Sequence, residues 1–192
     1  MKRYQLVVVG GGFAGAAAAI SAGRAGVSTL LIERGNCLGG AAAHALVNPF
    51  MPYRTQIDGE LVPLCRGIFE EIYNALAAMT QEEGDVSQAF AFHEEYLKLI
   101  LNRMALEAGV ELLYHADLTG AEVQGRRLRA VSVATTAGVL SIQADVFIDA
   151  TGDANLAALS GCPYHLGRER DSLCQPMTLC FRLGGIDLER AA

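Results

Sequence analysis

Residues 10–15 read Gly-Gly-Gly-Phe-Ala-Gly, a GxGxxG at the end of an apolar run, with Ala19 four positions further on. Each glycine has a separate task in holding a dinucleotide. Gly10 permits a tight turn out of a strand, Gly12 has no side chain to keep a pyrophosphate off the backbone, and Gly15 lets helix and strand pack closely. Phe13 and Ala14 would open a helix whose free N–H groups and positive dipole end receive the phosphates. Glu33 stands 18 residues past Gly15. A carboxylate there accepts hydrogen bonds from adenosine ribose hydroxyls and disfavours the 2′-phosphate of NADP. This motif leaves NAD and FAD both open.

A second glycine turn, Ala150-Thr151-Gly152-Asp153, follows another apolar run. Thr151 and Gly152 would bring bare backbone to the crevice where open parallel sheets bind ligands, and Asp153 would cap a helix from Ala154 to Leu159. Other reactive side chains stand alone. His44 could move a proton near neutral pH, Asn48 could hydrogen-bond a ligand, and Arg168, close to Arg170 and Asp171, could clamp a carboxylate. Five cysteines (37, 65, 162, 174 and 180) are an odd count with no CxxC pair. Their spacings fit no zinc or iron–sulfur template, so they are expected to be mostly small buried apolar residues, and no metal site is expected. Glu70-Glu71 and Glu94-Glu95 read as exposed helix charges. His93, before a helix start, reads as structural, as do His115 and His165.

The elements that must position these residues follow from periodicity. Tyr4 to Val9 is a buried strand, Phe13 to Ala25 an alanine-rich helix stopped by Gly26, and Ser28 to Ile32 a second buried strand, together one right-handed βαβ unit. Residues 36–60, with Pro49 and Pro52, read as a long loop. Leu64 to Met79 carries a helical stripe ended by the polar Gln81–Asp85 stretch. Phe92 to Ala108 is a second helix, apolar at 97, 100, 101, 104 and 105 and stopped by Gly109. Val110 to Tyr114 is a further strand. Ala121–Val123, Leu128–Thr135 and Val139–Ile142, turning at Gly125 and Gly138, form an antiparallel meander. Asp145 to Ala150 reads as the last apolar strand, and Met177 to Leu183 is strand-like. The fold class is therefore α/β: a Rossmann-like βαβ parallel sheet with an antiparallel meander, incomplete at the C-terminus.

Composition agrees with a folded, acidic protein. The chain has 192 residues, 52% hydrophobic and 19% charged, with 15 Lys and Arg against 21 Asp and Glu for a net charge of −6. That core content excludes disorder, and the acidic balance argues against nucleic acid. Mean hydropathy is +0.27, but no apolar run approaches the ~20 residues of a membrane span, and the amino-terminal run stops short of the ~7–15 of a signal peptide. A soluble, cytoplasmic protein without membrane partners is expected.

Four segments together resemble the amino-terminal part of an FAD-dependent oxidoreductase of the glutathione-reductase-like (two-dinucleotide-binding-domain) superfamily. They are residues 7–15, Ile32-Glu33-Arg34, Cys37-Leu38-Gly39-Gly40-Ala41, and residues 147–153. The resemblance implies FAD as cofactor, with contacts from Gly10, Gly12, Phe13, Ala14, Gly15, Glu33, Arg34, Leu38, Gly39, Gly40, Ala41, Ala150, Thr151, Gly152 and Asp153. It implies backbone contacts to the adenine edge near Asp117 and Leu118, and sets His44 and Asn48 where the chain crosses the flavin. The sequence departs from the disulfide-reductase branch at Ala41–Leu46, which holds no cysteine, so dithiol chemistry is not expected. The resemblance further implies an FAD-binding domain over 1–163, with a 41–92 loop and helix insertion near the flavin, and a truncated substrate domain beginning at 164–192. A second copy or another chain would then complete the flavin site. The expected activity is hydride transfer from a small organic substrate to FAD. A non-catalytic flavin- or nucleotide-binding subunit needing a partner, and an NAD-dependent dehydrogenase, are the alternatives.

Overall fold

The computed structural model describes residues 3–80, 90–185 and 190. Its centre is a six-stranded sheet of order β7-β2-β1-β10-β9-β8. β1 (Arg3–Val9) and β2 (Thr29–Ile32) are apolar runs with buried residues on both faces, the pattern of strands covered on either side. They flank α1 (Phe13–Arg24) in the expected crossover, and Gly26 at φ +77° turns the chain back. β7 (Glu111–Leu113) pairs parallel to β2.

The meander is built from three strands, as expected: β8 (Asp117–Gln124), β9 (Arg127–Thr135) and β10 (Gly138–Asp149). The two strands expected at Val139–Ile142 and Asp145–Ala150 are one. Its first half pairs antiparallel with β9 from Gly138 to Gln143, and its second half pairs parallel with β1 as far as Asp149. Changing partners mid-strand changes which residues are covered, and that change reads in sequence as a break.

Register fixes what lies at the sheet's carboxyl edge. Val9 of β1 stands opposite both Ile32 of β2 and Asp149 of β10. The three strands therefore end level, and the residues after each of them emerge on one side.

Residues 36–60 hold more structure than a loop. α2 (Gly40–His44) follows the double glycine, β3 (Pro49–Phe50) pairs with β6 (Phe90–Ala91), and β4 (Arg54–Ile57) forms a hairpin with β5 (Glu60–Pro63). The hairpin turns on Asp58-Gly59, both at positive φ (52° and 86°). That is the Asp-Gly signature of a two-residue hairpin turn, a signal present in the sequence. The helix expected from Leu64 starts later, as α3 (Ile68–Thr80), because the hairpin occupies the preceding residues. The Gln81–Asp85 stretch lies outside the described residues.

α4 (Glu94–Glu107) buries Leu97, Ile100, Leu101, Met104 and Ala105, the stripe read from sequence. With α1 and α3 it covers one face of the sheet. On the other face Tyr4, Val7 and Val9 pack with Val131 and Val133 of the meander and with Leu156 of α5 (Asn155–Leu159).

Three expectations are corrected here. Glu94 is buried at 6% exposure, its carboxylate accepting from Arg182 at 2.6 Å. Cys65, Cys162, Cys174 and Cys180 are exposed and Cys37 is half-buried, because none lies on an inward face of a helix or strand. Met177–Leu183 pairs with no strand among the described residues and is exposed, Met177 wholly so.

Candidate functional site

Because β1, β2 and β10 end level, three turns converge on one cavity of about 680 Å³. Gly10 leaves β1 at φ +102°, a conformation that excludes most side chains, and a Cβ there would fall 2.5 Å from the Ala150 carbonyl oxygen. The turn after β10 is thus seated directly on the first glycine turn. Gly15 has the opposite constraint from behind: its Cβ would meet the Gly10 carbonyl oxygen at 1.8 Å. Gly12 is different again. Its backbone is extended (φ −65°, ψ −178°), and a Cβ would meet nothing nearer than Gly40 Cα at 3.9 Å. The space in front of Gly12 is the cavity itself.

The double glycine completes that wall. Gly39 N–H donates to the Gly11 carbonyl at 2.9 Å, and Gly40 approaches so closely that its own Cβ would fall 3.0 Å from Gly12 Cα. α1 starts from Gly12, with no side chain capping its first turn. Its amino-terminal N–H groups are the ready-made anion site of a helix start.

Glu33 is 8% exposed and lines the cavity. Its Oε2 accepts from Gly11 N–H at 2.6 Å and its Oε1 from Gly35 N–H at 2.7 Å. The carboxylate therefore ties the glycine turn to the chain leaving β2, and each oxygen keeps further lone-pair capacity for a ligand hydroxyl.

At the third turn, Asp149 does the work expected of Asp153. Asp149 Oδ1 accepts from Thr151 N–H and from its hydroxyl, and Oδ2 accepts from Ala157 N–H at 2.8 Å. Thr151 Oγ1 in turn accepts from Asn155 N–H at 2.7 Å. Ala154, in the left-handed region at φ 54°, occupies the cap position without a capping side chain. Asp153 is left exposed on the cavity wall.

Of the residues singled out in the sequence, Gly10, Gly12, Glu33, Arg34, Gly40, Ala41, His44, Asp117, Leu118, Ala150, Thr151, Gly152 and Asp153 line this cavity. Phe13, Ala14, Gly15, Leu38 and Gly39 do not line it. Phe13 packs on Phe50 with ring centroids 5.6 Å apart, and Leu38 is fully buried. Asn48 does not line it; its Nδ2 donates to the Phe92 carbonyl at 3.0 Å. Arg168 lies in a separate exposed loop, ion-paired to Asp171 at 2.6 Å. His44 reaches the cavity beside Gly35. Gly11, Gly35, Ala45, Ala116 and Asn155 also line it and were not singled out. Gly11 and Gly35 carry a signal only once Glu33 is known to take both of their N–H groups.

Charges behind the cavity are set by burial and pairing. Burial pushes the Cys37 thiol up, against a partial pull down from Lys98. Burial also raises Tyr114 to about 12, with Cys37 and Glu33 adding to it, and its hydroxyl donates to Asn102. Lys98 is raised by its bond to Glu95. Among the described residues, no group of three His, Cys, Asp or Glu is placed to hold a metal, and no helix is long and apolar enough to cross a membrane.

A sheet whose parallel strands end in two bare-backbone turns, a helix start and a carboxylate around one crevice defines a dinucleotide-binding α/β protein. The chain belongs to the FAD dependent oxidoreductase family, whose sequence model matches residues 5–192. FAD is accordingly its cofactor, and an open space in front of Gly12 beside uncapped helix N–H groups fits a diphosphate.

Solved structures share the fold. A flavoprotein/dehydrogenase from Cytophaga hutchinsonii aligns with TM-score 0.61 at 15% identity over 88% of this chain and 44% of its own. The anhydrotetracycline hydroxylase OxyS from Streptomyces rimosus aligns with TM-score 0.60 at 17% identity over 83% and 34%. The p-nitrophenol 4-monooxygenase PnpA from Pseudomonas putida DLL-E4 gives 0.54 at 17% over 84% and 44%. The chain thus spans about a third to under half the length of these relatives. No curated protein matches the sequence.

Proposed function

We propose that this chain is the cofactor-binding part of an FAD-dependent oxidoreductase acting on a small organic substrate, within the glutathione-reductase-like superfamily. The observation that carries the reading is the convergence of the Gly10–Gly12 turn, the Gly39-Gly40 approach and the Thr151-Gly152 turn on a single crevice with Glu33 at its rim. FAD, when bound, supplies the acceptor for a substrate hydride, while the protein supplies orientation and electrostatics. The α1 start and Gly12 backbone would hold the diphosphate, Glu33 the adenosine ribose, and Asp117-Leu118 the adenine edge. Gly40, Ala41 and Thr151-Gly152 would flank the path towards the flavin. Residues 1–163 would form the FAD-binding domain and 164–192 the start of a substrate domain, in a cytoplasmic protein.

A second reading, a flavin-binding unit completed by a partner or a second copy, is favoured by one feature. The extended 164–183 stretch exposes Tyr164, Leu166, Leu173, Met177, Leu179, Phe181 and Leu183, an apolar series with nothing packed on it among the described residues. Both readings are tested by the visible absorption of the purified protein after addition of FAD and removal of the excess. Retained flavin bands, bleached by a substrate, support the oxidoreductase. Retained bands that bleach only with added partner protein favour the second reading, and a colourless protein overturns the cofactor assignment for the chain alone.

A further inference from the structure

His44 ends α2, and its ring has neighbours on two sides. One side is Gly35: a Cβ there would fall 2.6 Å from His44 Nε2 and 2.7 Å from Cε1. Gly35 is not at positive φ, so its backbone conformation does not demand glycine; a Cβ there would require the imidazole lying on it to move. Gly35 is itself held, its N–H donating to Glu33 Oε1 at 2.7 Å and its carbonyl accepting from His115 N–H at 3.0 Å. The other side is Cys37, whose carbonyl oxygen lies 3.4 Å and Sγ 3.6 Å from Nε2.

A carbonyl oxygen can only accept and a thiol sulfur can accept as well, so the arrangement in which Nε2 donates to Cys37 is the one that leaves Nδ1 free to accept. Nδ1 is then an acceptor, with no partner among the described residues. The ring belongs to the cavity wall beside Gly35, two residues beyond Glu33. Both Glu33 oxygens already accept a backbone N–H there, from Gly11 and Gly35. A ribose carries two hydroxyls to place, and His44 is the neighbouring acceptor.

We propose that His44 is a cofactor-binding residue on the adenosine side of the crevice, its Nδ1 accepting a hydrogen bond from a ribose hydroxyl, with Gly35 and Cys37 as its positioning residues. The proposal rests on the crevice being the FAD site, and it moves His44 away from the flavin, where the resemblance set it.

The test is calorimetric titration of the whole chain with FAD and, separately, with ADP, which has the adenosine and diphosphate but no flavin. Wild type should bind both. His44→Ala should weaken both by the same factor, roughly two- to tenfold for one lost hydrogen bond, and His44→Gln, whose amide can accept, should recover part of it. Gly35→Ala, whose methyl would displace the ring and also fall 3.1 Å from Glu33 Oε1, should weaken both ligands at least as much as His44→Ala, and adding His44→Ala to it should cause little further loss. FAD weakened with ADP unchanged would put His44 at the flavin and overturn the proposal. Unchanged affinities, or additive losses, would overturn it equally. His44 is exposed, so its variants should fold, and the FAD–ADP comparison decides alone if Gly35→Ala does not. Wild type binding neither ligand would instead overturn the reading of the crevice.

Discussion

Two glycines three positions apart carry opposite predictions, because what a Cβ would meet differs completely. Gly12→Val adds its side chain into the crevice, where the nearest atom to a Cβ is 3.9 Å away, at a backbone angle that valine adopts freely. Its melting temperature should stay within a degree or two of wild type while FAD binding falls by at least a hundredfold, as measured by flavin fluorescence quenching. Gly15→Ala places a methyl 1.8 Å from the Gly10 carbonyl oxygen. It should lose roughly 1–3 kcal/mol or more of stability through overpacking, visible in urea unfolding. If Gly12→Val keeps its FAD affinity, the diphosphate does not lie there. These roles were legible from spacing alone, since a GxGxxG between strand and helix dictates them. Glu94 was not. Nothing local distinguishes it from Glu95, and the Arg182 that permits its burial lies 88 residues away in sequence.

Elements were legible where one partner covers one face, as in α4, and illegible where the partner changes, as in β10. That strand delivers Asp149, whose carboxylate collects Thr151 N–H, the Thr151 hydroxyl and Ala157 N–H and so joins β10, the cavity turn and α5. Asp149→Ala should cost about 2 kcal/mol, the scale of a lost helix cap with a second orphaned donor, and should lower FAD affinity as well. Unfolding midpoints and FAD titration of the variant check both; a stability loss without an affinity loss would mean the turn holds its shape unaided. The Glu94–Arg182 pair ties the extended carboxyl stretch to the start of α4 in a similar way. Arg182's hydrogen bond holds the Glu94 carboxyl below its usual range, so the folded state binds that proton more weakly than the unfolded one. The pair's contribution is complete above roughly pH 5 and fades as acid protonates Glu94. Arg182→Ala should therefore speed trypsin cleavage at Arg168 and Arg170 at neutral pH, with the difference from wild type shrinking in a pH-series read by an acid-tolerant protease. Equal cleavage at pH 7 would show that the pair does not hold the stretch.

At the scale of the molecule, the crevice is lined from Val9 to Asn155, by the ends of β1, β2 and β10, by α2 and by the start of β8. Gly39 N–H joins the double glycine to Gly11 by a single hydrogen bond, and the turn after β10 meets Gly10 through bare backbone. A ligand that spans them should therefore stabilise the whole sheet rather than one loop. By mass action, FAD at a hundred times its dissociation constant adds about 2.7 kcal/mol, which for a chain of this size corresponds to a rise in melting temperature of roughly 5–10 °C. ADP, filling only the glycine turn, α1 start and Glu33 region, should bind more weakly and so raise it by a smaller amount at the same free concentration. The rise should vanish in Gly12→Val, which leaves the fold but closes the crevice. Differential scanning fluorimetry with free FAD, ADP and NAD separates the outcomes. An equal rise from NAD would mean that the crevice selects the shared adenosine diphosphate and that flavin specificity resides beyond these residues. A rise from FAD well above that from ADP would place specific flavin contacts within this chain, on the walls formed by Gly40-Ala41 and Thr151-Gly152.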